Sequence, residues 1–177
     1  MHTSLLSNLL SASFSSLENQ LSIVTFKTDK GNIIIELYPD CAPATVKNFV
    51  KLVETGFYDG LTFHRYVKGF VIQGGDPDGT GTGGPGWTIP GEFQNPELKK
   101  KMPPHDKGVI AMARKPSPDS AGSQFYICLN EDTNGYAHLN GSYTTFGRVI
   151  EGIDVVDKLR EGDIMTEVTY TSTEEQN

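Results

Sequence analysis

Polar and apolar residues first alternate between Ser22 and Thr28, where Val24 and Phe26 are set against Ile23, Thr25 and Lys27. A period of two marks a half-buried strand. Asp29-Lys30-Gly31-Asn32 supplies turn chemistry, and residues 33–38 read as the returning strand of a hairpin. The period then changes. Pro43 suits a first helical position, Val46, Phe49, Val50 and Val53 recur at helical spacing, and Gly56 supplies a stop. Residues 61–66, 70–73, 109–114, 124–129, 144–149 and 166–170 read as further strands. A second helix is expected over residues 153–160, with Val156 and Leu159 turned inward. Many short strands with two separated helices argue for an all-β barrel or sandwich with helical caps, not a βαβ repeat. The Gly/Pro-rich connection 74–90 and the segment 115–122 are long, and long loops often carry function.

A chain of 177 residues is most economically one domain with a sizeable core. We divide it into a flexible extension (residues 1–20), a folded domain (21–171) and a polar tail (172–177). The extension has a short apolar stretch from Leu5 to Leu10, broken by Ser7 and Asn8, and no Lys or Arg precedes Lys27. A secretory leader wants a basic start and an unbroken apolar core, so a cytoplasmic location is expected, with periplasmic or secreted placement as the alternative. Nothing is long enough to span a bilayer, and no membrane partner is expected. The net charge of −7 leaves only Lys99-Lys100-Lys101 as a basic cluster, so no nucleic-acid partner is expected either. Cys41 and Cys128 are read as free thiols. No CxxC or HExxH cluster supports a metal, and no cofactor is expected. A monomer is expected.

Generic motif searches return little. Residues 79–84 fit G-x-G-x-x-G, but Pro85-Gly86-Trp87 and Pro90 block the helix that a nucleotide site requires. The segment reads instead as tight turns beside a groove. Ser120 and Ser123 lack a G-x-S-x-G elbow. His64 reads as a core or barrel-wall histidine, and His105, in a polar loop, as a solvated one. Asn140-Gly141-Ser142 is formally a glycosylation acceptor, which matters only in a secreted protein.

One segment is different. FHRYVKGFVIQGGD, from Phe63 to Asp76, resembles the signature strand pair of the cyclophilins. Three further blocks follow in that family's order: GTGG from Gly81, Met112-Ala113 with GSQFYI from Gly122, and LNGSYTTFGRV from Leu139. The resemblance covers nearly the whole chain after the extension. It implies a closed eight-stranded antiparallel β-barrel capped by two α-helices, a groove on its outer face, and peptidyl-prolyl cis/trans isomerase activity that assists protein folding. Proline-containing peptides or proteins are then the substrates. Carried over by position, Arg65 matches the catalytic arginine, with Gln73 orienting it and Phe70 in the pocket. Val71, Tyr126 and Leu139 match the other walls of the proline pocket, and Ala113 and Gln124 match positions contacting the residues before proline. Gly81, Arg114, His138 and Tyr143 match the rim. His138 stands where the best-known eukaryotic members have tryptophan, which implies weakened binding of the inhibitor cyclosporin. Arg114-Lys115 replaces a neutral pair, which implies a preference for acidic residues near the proline. The rival reading is a proline-segment binding module or chaperone with incidental turnover.

Overall fold

The computed structural model describes residues 20–173; most of the expected extension and residues 174–177 of the tail lie outside them. The predicted hairpin is present as β1 (Ser22–Thr28) and β2 (Gly31–Leu37), in register from Ser22 opposite Leu37 to Thr28 opposite Gly31. The chain then forms α1 (Pro43–Glu54), β3 (Arg65–Val67), β4 (Val71–Gly74), α2 (Pro96–Lys99), β5 (Val109–Met112), β6 (Phe125–Cys128), β7 (Thr145–Glu151), α3 (Ile153–Lys158) and β8 (Met165–Ser172).

All strand pairs are antiparallel, in the order β3-β4-β6-β5-β7-β2-β1-β8. This corrects the expected closed barrel. The sheet is an open, strongly curled half-barrel whose ladder ends at β3 and β8. Only three residues of β3 pair regularly. The residues before it meet the start of β8 through the isolated bridge of Thr62 with Ile164 and a few flanking backbone bonds, such as Met165 N–H to Leu61 O at 2.8 Å. The β1–β8 pairing also shifts register between Lys27 and Thr28, where one extra residue of β8 is accommodated before Thr28 meets Met165.

Three α-helices, not two, accompany the sheet among the described residues. The additional one, α2, is a single turn started by Pro96 and capped by Asn95, whose side chain accepts from the N–H groups of Glu97 and Leu98. With no buried residue, it has no apolar period to reveal it. The helix expected to reach residue 160 stops at Lys158, because Leu159 is already extended. Leu159 and Val156 are nonetheless fully buried. Strand β8 also runs beyond residue 170, with Ser172 paired to Ser22.

The curled sheet encloses Phe26, Phe49, Tyr58, Phe63, Phe125 and Phe146. Phe49 on α1 lies 5.2 Å from Phe146 and 5.7 Å edge-on to Phe125. Such aromatic pairs contribute about 0.5–1.5 kcal/mol beyond their buried area. Because side chains alternate across a strand, Ile72, Ile110, Phe125 and Ile127 point into this core while Val71, Ala111, Tyr126 and Cys128 occupy the opposite face. Strands β4, β5 and β6 are thus apolar on both faces, and the outer one forms a second cluster with Tyr136 and Leu139. That cluster floors the site.

Candidate active site

Arg65 and Gln73 are directly opposed on β3 and β4. Arg65 projects into solvent at the groove edge, and its Nη1 donates to Gln73 Oε1 at 3.0 Å. Gln73 Nε2 in turn donates to Gln124 Oε1 at 2.9 Å, and Gln124 Nε2 donates to the carbonyls of Gly81 and Gly83 at 3.0 and 2.9 Å. The glycine loop is itself held by buried Asp76, whose carboxylate accepts from the backbone N–H groups of Asp78, Thr80 and Gly81. Burial raises the Asp76 pKa, but these backbone bonds outweigh it and hold the carboxyl below its ordinary value. One chain of hydrogen bonds therefore runs from a buried carboxylate to the exposed guanidinium.

Beside Arg65 lies an open groove of about 570 Å³. Phe70, Val71, Tyr126 and Leu139 provide its apolar wall, and Gly81, Ala113, Arg114, His138 and Tyr143 its margin. Gln124 lines an adjoining cleft that shares Gln73, Gly81, Ala113 and Arg114 with the groove. The positions singled out from the sequence thus converge on one continuous surface. Phe70 is fixed from behind: its ring stacks on Tyr136 at 5.4 Å and 17°, and on His138 at 6.4 Å and 15°. Its carbonyl accepts from the Tyr136 hydroxyl at 2.5 Å and from Leu129 N–H at 2.8 Å.

Arg114 is not a free rim charge. It donates twice to Ser142 O and once each to the carbonyls of Lys115 and Pro116, and it lies over the ring of Tyr143 at 4.5 Å. Its donors tie two loops together, while neighbouring Lys115 stays exposed on the adjoining cleft. Both serines considered as nucleophiles are structural: Ser123 Oγ donates to Gly75 O, and Ser120 Oγ to Ser117 O.

Of the two histidines singled out, only His105 departs from its sequence reading. His64 lines the groove beside Arg65, and both its ring nitrogens are shielded without a hydrogen-bond partner. Burial, opposed by the charge of Asp76, lowers its pKa. His105 is not solvated but 1% exposed, bonded to Asn140 and to the hydroxyl of Tyr126. A polar loop hid it, and only the tyrosine in GSQFYI hinted that a partner was required. Both cysteines are free; Cys41 donates to Lys101 O, and burial pushes the Cys128 thiol up to about 12. Among the described residues no cluster of His, Cys, Asp and Glu could hold a metal, and no helix is long and apolar enough to cross a membrane.

Comparison with known proteins identifies relatives along almost the whole described chain. The family model described as cyclophilin type peptidyl-prolyl cis-trans isomerase/CLD matches residues 23–175. A peptidyl-prolyl cis-trans isomerase of Helicobacter pylori is 46% identical over 151 residues, covering 84% of this chain and 86% of that protein. Peptidyl-prolyl cis-trans isomerase B of Bacillus subtilis is 48% identical over 145 residues, covering 81% and 94%. The crystal structure of a Cryptosporidium parvum cyclophilin type isomerase superposes with a TM-score of 0.75 at 32% identity, covering 86% of this chain and 99% of that one. The chain belongs to the cyclophilin-type peptidyl-prolyl cis/trans isomerase family.

Proposed function

We propose that Arg65 supplies the catalytic interaction of this isomerase and that Phe70, Val71, Tyr126 and Leu139 grip the proline ring. The activity itself, acceleration of rotation about X–Pro bonds in folding chains, follows from the family. The two isomers differ by only about 0.5–1 kcal/mol, yet rotation crosses a barrier of ~18–20 kcal/mol set by amide resonance. As the bond twists, the lone pair returns to the proline nitrogen, which becomes a hydrogen-bond acceptor. A guanidinium N–H placed there interacts only with the twisted form, so it lowers the barrier instead of merely tightening binding. A charge-assisted bond of about 1.5–3 kcal/mol accounts for roughly one to two decades of rate.

The observation that carries this reading is the position of Arg65 at the edge of an apolar pocket, with one N–H spent on Gln73 and the rest of its fork directed by that bond. The apolar wall holds the ring while the preceding carbonyl swings. Ala113 and Gln124 then meet the residues before proline, and Gly81, Arg114, His138 and Tyr143 bound the groove. Because His138 is imidazole rather than indole, cyclosporin binds with reduced affinity. Isomerisation of an X–Pro peptide by wild type and Arg65→Ala tests the assignment. A loss of about ten- to a hundredfold supports it, and equal rates overturn it.

A further inference from the structure

Tyr126 forms a wall of the groove, yet its hydroxyl is bonded to a residue that the groove does not contain. His105 Nε2 lies 2.7 Å from that oxygen. His105 belongs to a neighbouring crevice with Met102, Pro103 and Asn140, separated from the groove by Tyr126 and Tyr143. On its other side the imidazole meets Asn140: Nδ1 lies 2.8 Å from Asn140 Oδ1, and the backbone N–H of His105 donates to the same oxygen at 2.7 Å.

These contacts determine where the protons are. A backbone N–H can only donate, so the Asn140 atom facing it is the carbonyl oxygen, and that oxygen can only accept. Nδ1 must therefore carry hydrogen. In the neutral ring Nε2 is then bare, and the Tyr126 hydroxyl donates to it. Burial favours the neutral ring, and the proximity of His138 does so further, against the opposing effect of the Asn140 bond. The imidazole also lies parallel to Tyr126 and Tyr136, with centroids 5.8 and 6.4 Å away.

Asn140 directly follows Leu139, which is 8% exposed and forms another wall of the pocket. The two walls come from different elements, β6 and the turn after Tyr136, and no strand pairing fixes one against the other. We propose that His105 is a positioning residue for the proline pocket, using its two ring nitrogens to hold Tyr126 and the Leu139-bearing turn at a fixed separation. The inference rests on the reading of this pocket as the proline site. A proline ring is gripped in both the planar and the twisted state, so loosening the walls raises KM more than it lowers kcat.

Steady-state isomerase kinetics on an X–Pro peptide test this with His105→Leu, His105→Gln, Tyr126→Phe and the His105→Leu/Tyr126→Phe pair. A glutamine amide offers a donor group and an acceptor group, as the two nitrogens of the neutral imidazole do; leucine offers neither. The expected result is a KM about three- to tenfold higher for His105→Leu and for Tyr126→Phe, the equivalent of one hydrogen bond. His105→Gln stays within about twofold of wild type, and the double variant is no worse than His105→Leu because both remove the same link. Faster flipping of the Tyr126 ring in His105→Leu, read by NMR, is the accompanying signature. Additive effects in the double variant, or wild-type KM in Tyr126→Phe, overturn the proposal, and the latter decides alone if His105→Leu does not fold. Phe70→Ala runs in parallel. If it is impaired while the His105 and Tyr126 variants are not, only this proposal fails; if it too keeps wild-type KM, the pocket assignment fails and this proposal with it.

Discussion

Arg65 and Gln73 face each other across β3 and β4, and the bond between their side chains sets the direction of the guanidinium. An unrestrained arginine carries about 2 kcal/mol of rotamer entropy. Gln73 removes part of that cost before substrate arrives, and Gln124 holds Gln73 in turn. Gln73→Ala is therefore expected to lower kcat/KM by roughly three- to thirtyfold, less than Arg65→Ala. The double variant should be no slower than Arg65→Ala alone, because Gln73 acts through the arginine. Multiplying losses in the double-mutant cycle would show that Gln73 works independently.

Farther along the same chain of bonds, Asp76 shapes the loop whose Gly81 and Gly83 carbonyls receive Gln124. The loop passes so close that a Cβ on Gly83 would lie 2.0 Å from Asp76 Oδ1. Asp76→Asn replaces one acceptor oxygen by an NH₂ facing backbone donors, and a buried donor without an acceptor costs about 1–3 kcal/mol. The variant should unfold at lower denaturant concentration and expose the Thr80 and Gly81 amides to hydrogen exchange. Unchanged protection of those two amides would contradict the role given to the carboxylate.

How much of this was legible in the sequence depends on the range of each interaction. The β1–β2 hairpin and the inward faces of α1 and α3 follow from local periodicity, and the groove positions followed from a resemblance spread over ordered blocks. Sheet closure is another matter. It depends on whether residues 61–64 pair regularly with residues 162–165, and no pattern within either segment reports that. The start of α1 makes the same point. Its N-cap residue, Ala42, contributes no side-chain bond, and the free N–H groups of Ala44 and Thr45 are met by Glu92, 47 residues away from Thr45. His105 was misplaced for that reason too, since its partners lie 21 and 35 residues away.

The two shielded imidazoles give stability a pH dependence. Burial lowers the pKa of both His64 and His105 below the ordinary 6.5. In the window between that unfolded value and the lower folded ones, the unfolded chain binds more protons than the native protein, so stability rises with pH. Their contribution is fully present above about pH 6.5 and is lost as pH falls through the folded values. The denaturation midpoint should therefore drop between pH 7 and 5, and His105→Gln should flatten that slope. An identical slope in the variant would remove His105 from the account.

With the Arg114 donors engaged by the carbonyls of Ser142, Lys115 and Pro116 and only its charge left to act, a direct contact with an acidic residue near the proline falls to Lys115. Its ammonium is exposed, so the effect is modest, of the order of 0.2–1 kcal/mol, and screened by salt. Wild type should turn over a Glu-Pro peptide about two- to fivefold faster than a Lys-Pro peptide at low ionic strength. Lys115→Glu should reverse that order. A preference that survives both this substitution and added salt would have to come from elsewhere in the groove.

His138 is exposed at the groove margin, its ring parallel to Phe70. An imidazole covers less apolar surface than an indole, and an indole N–H adds a donor that a large cyclic peptide can use. Aromatic anchors of that kind are worth about 2 kcal/mol or more where they bind in a desolvated site. His138→Trp should therefore strengthen cyclosporin inhibition by about tenfold or more. In the proposed mode the X–Pro substrate engages chiefly the apolar wall and Arg65, so its kcat/KM should change by much less. Inhibition constants and kcat/KM measured on the same two proteins separate the effects. If the substitution leaves cyclosporin potency where it was, the residue at position 138 does not set the affinity for the inhibitor.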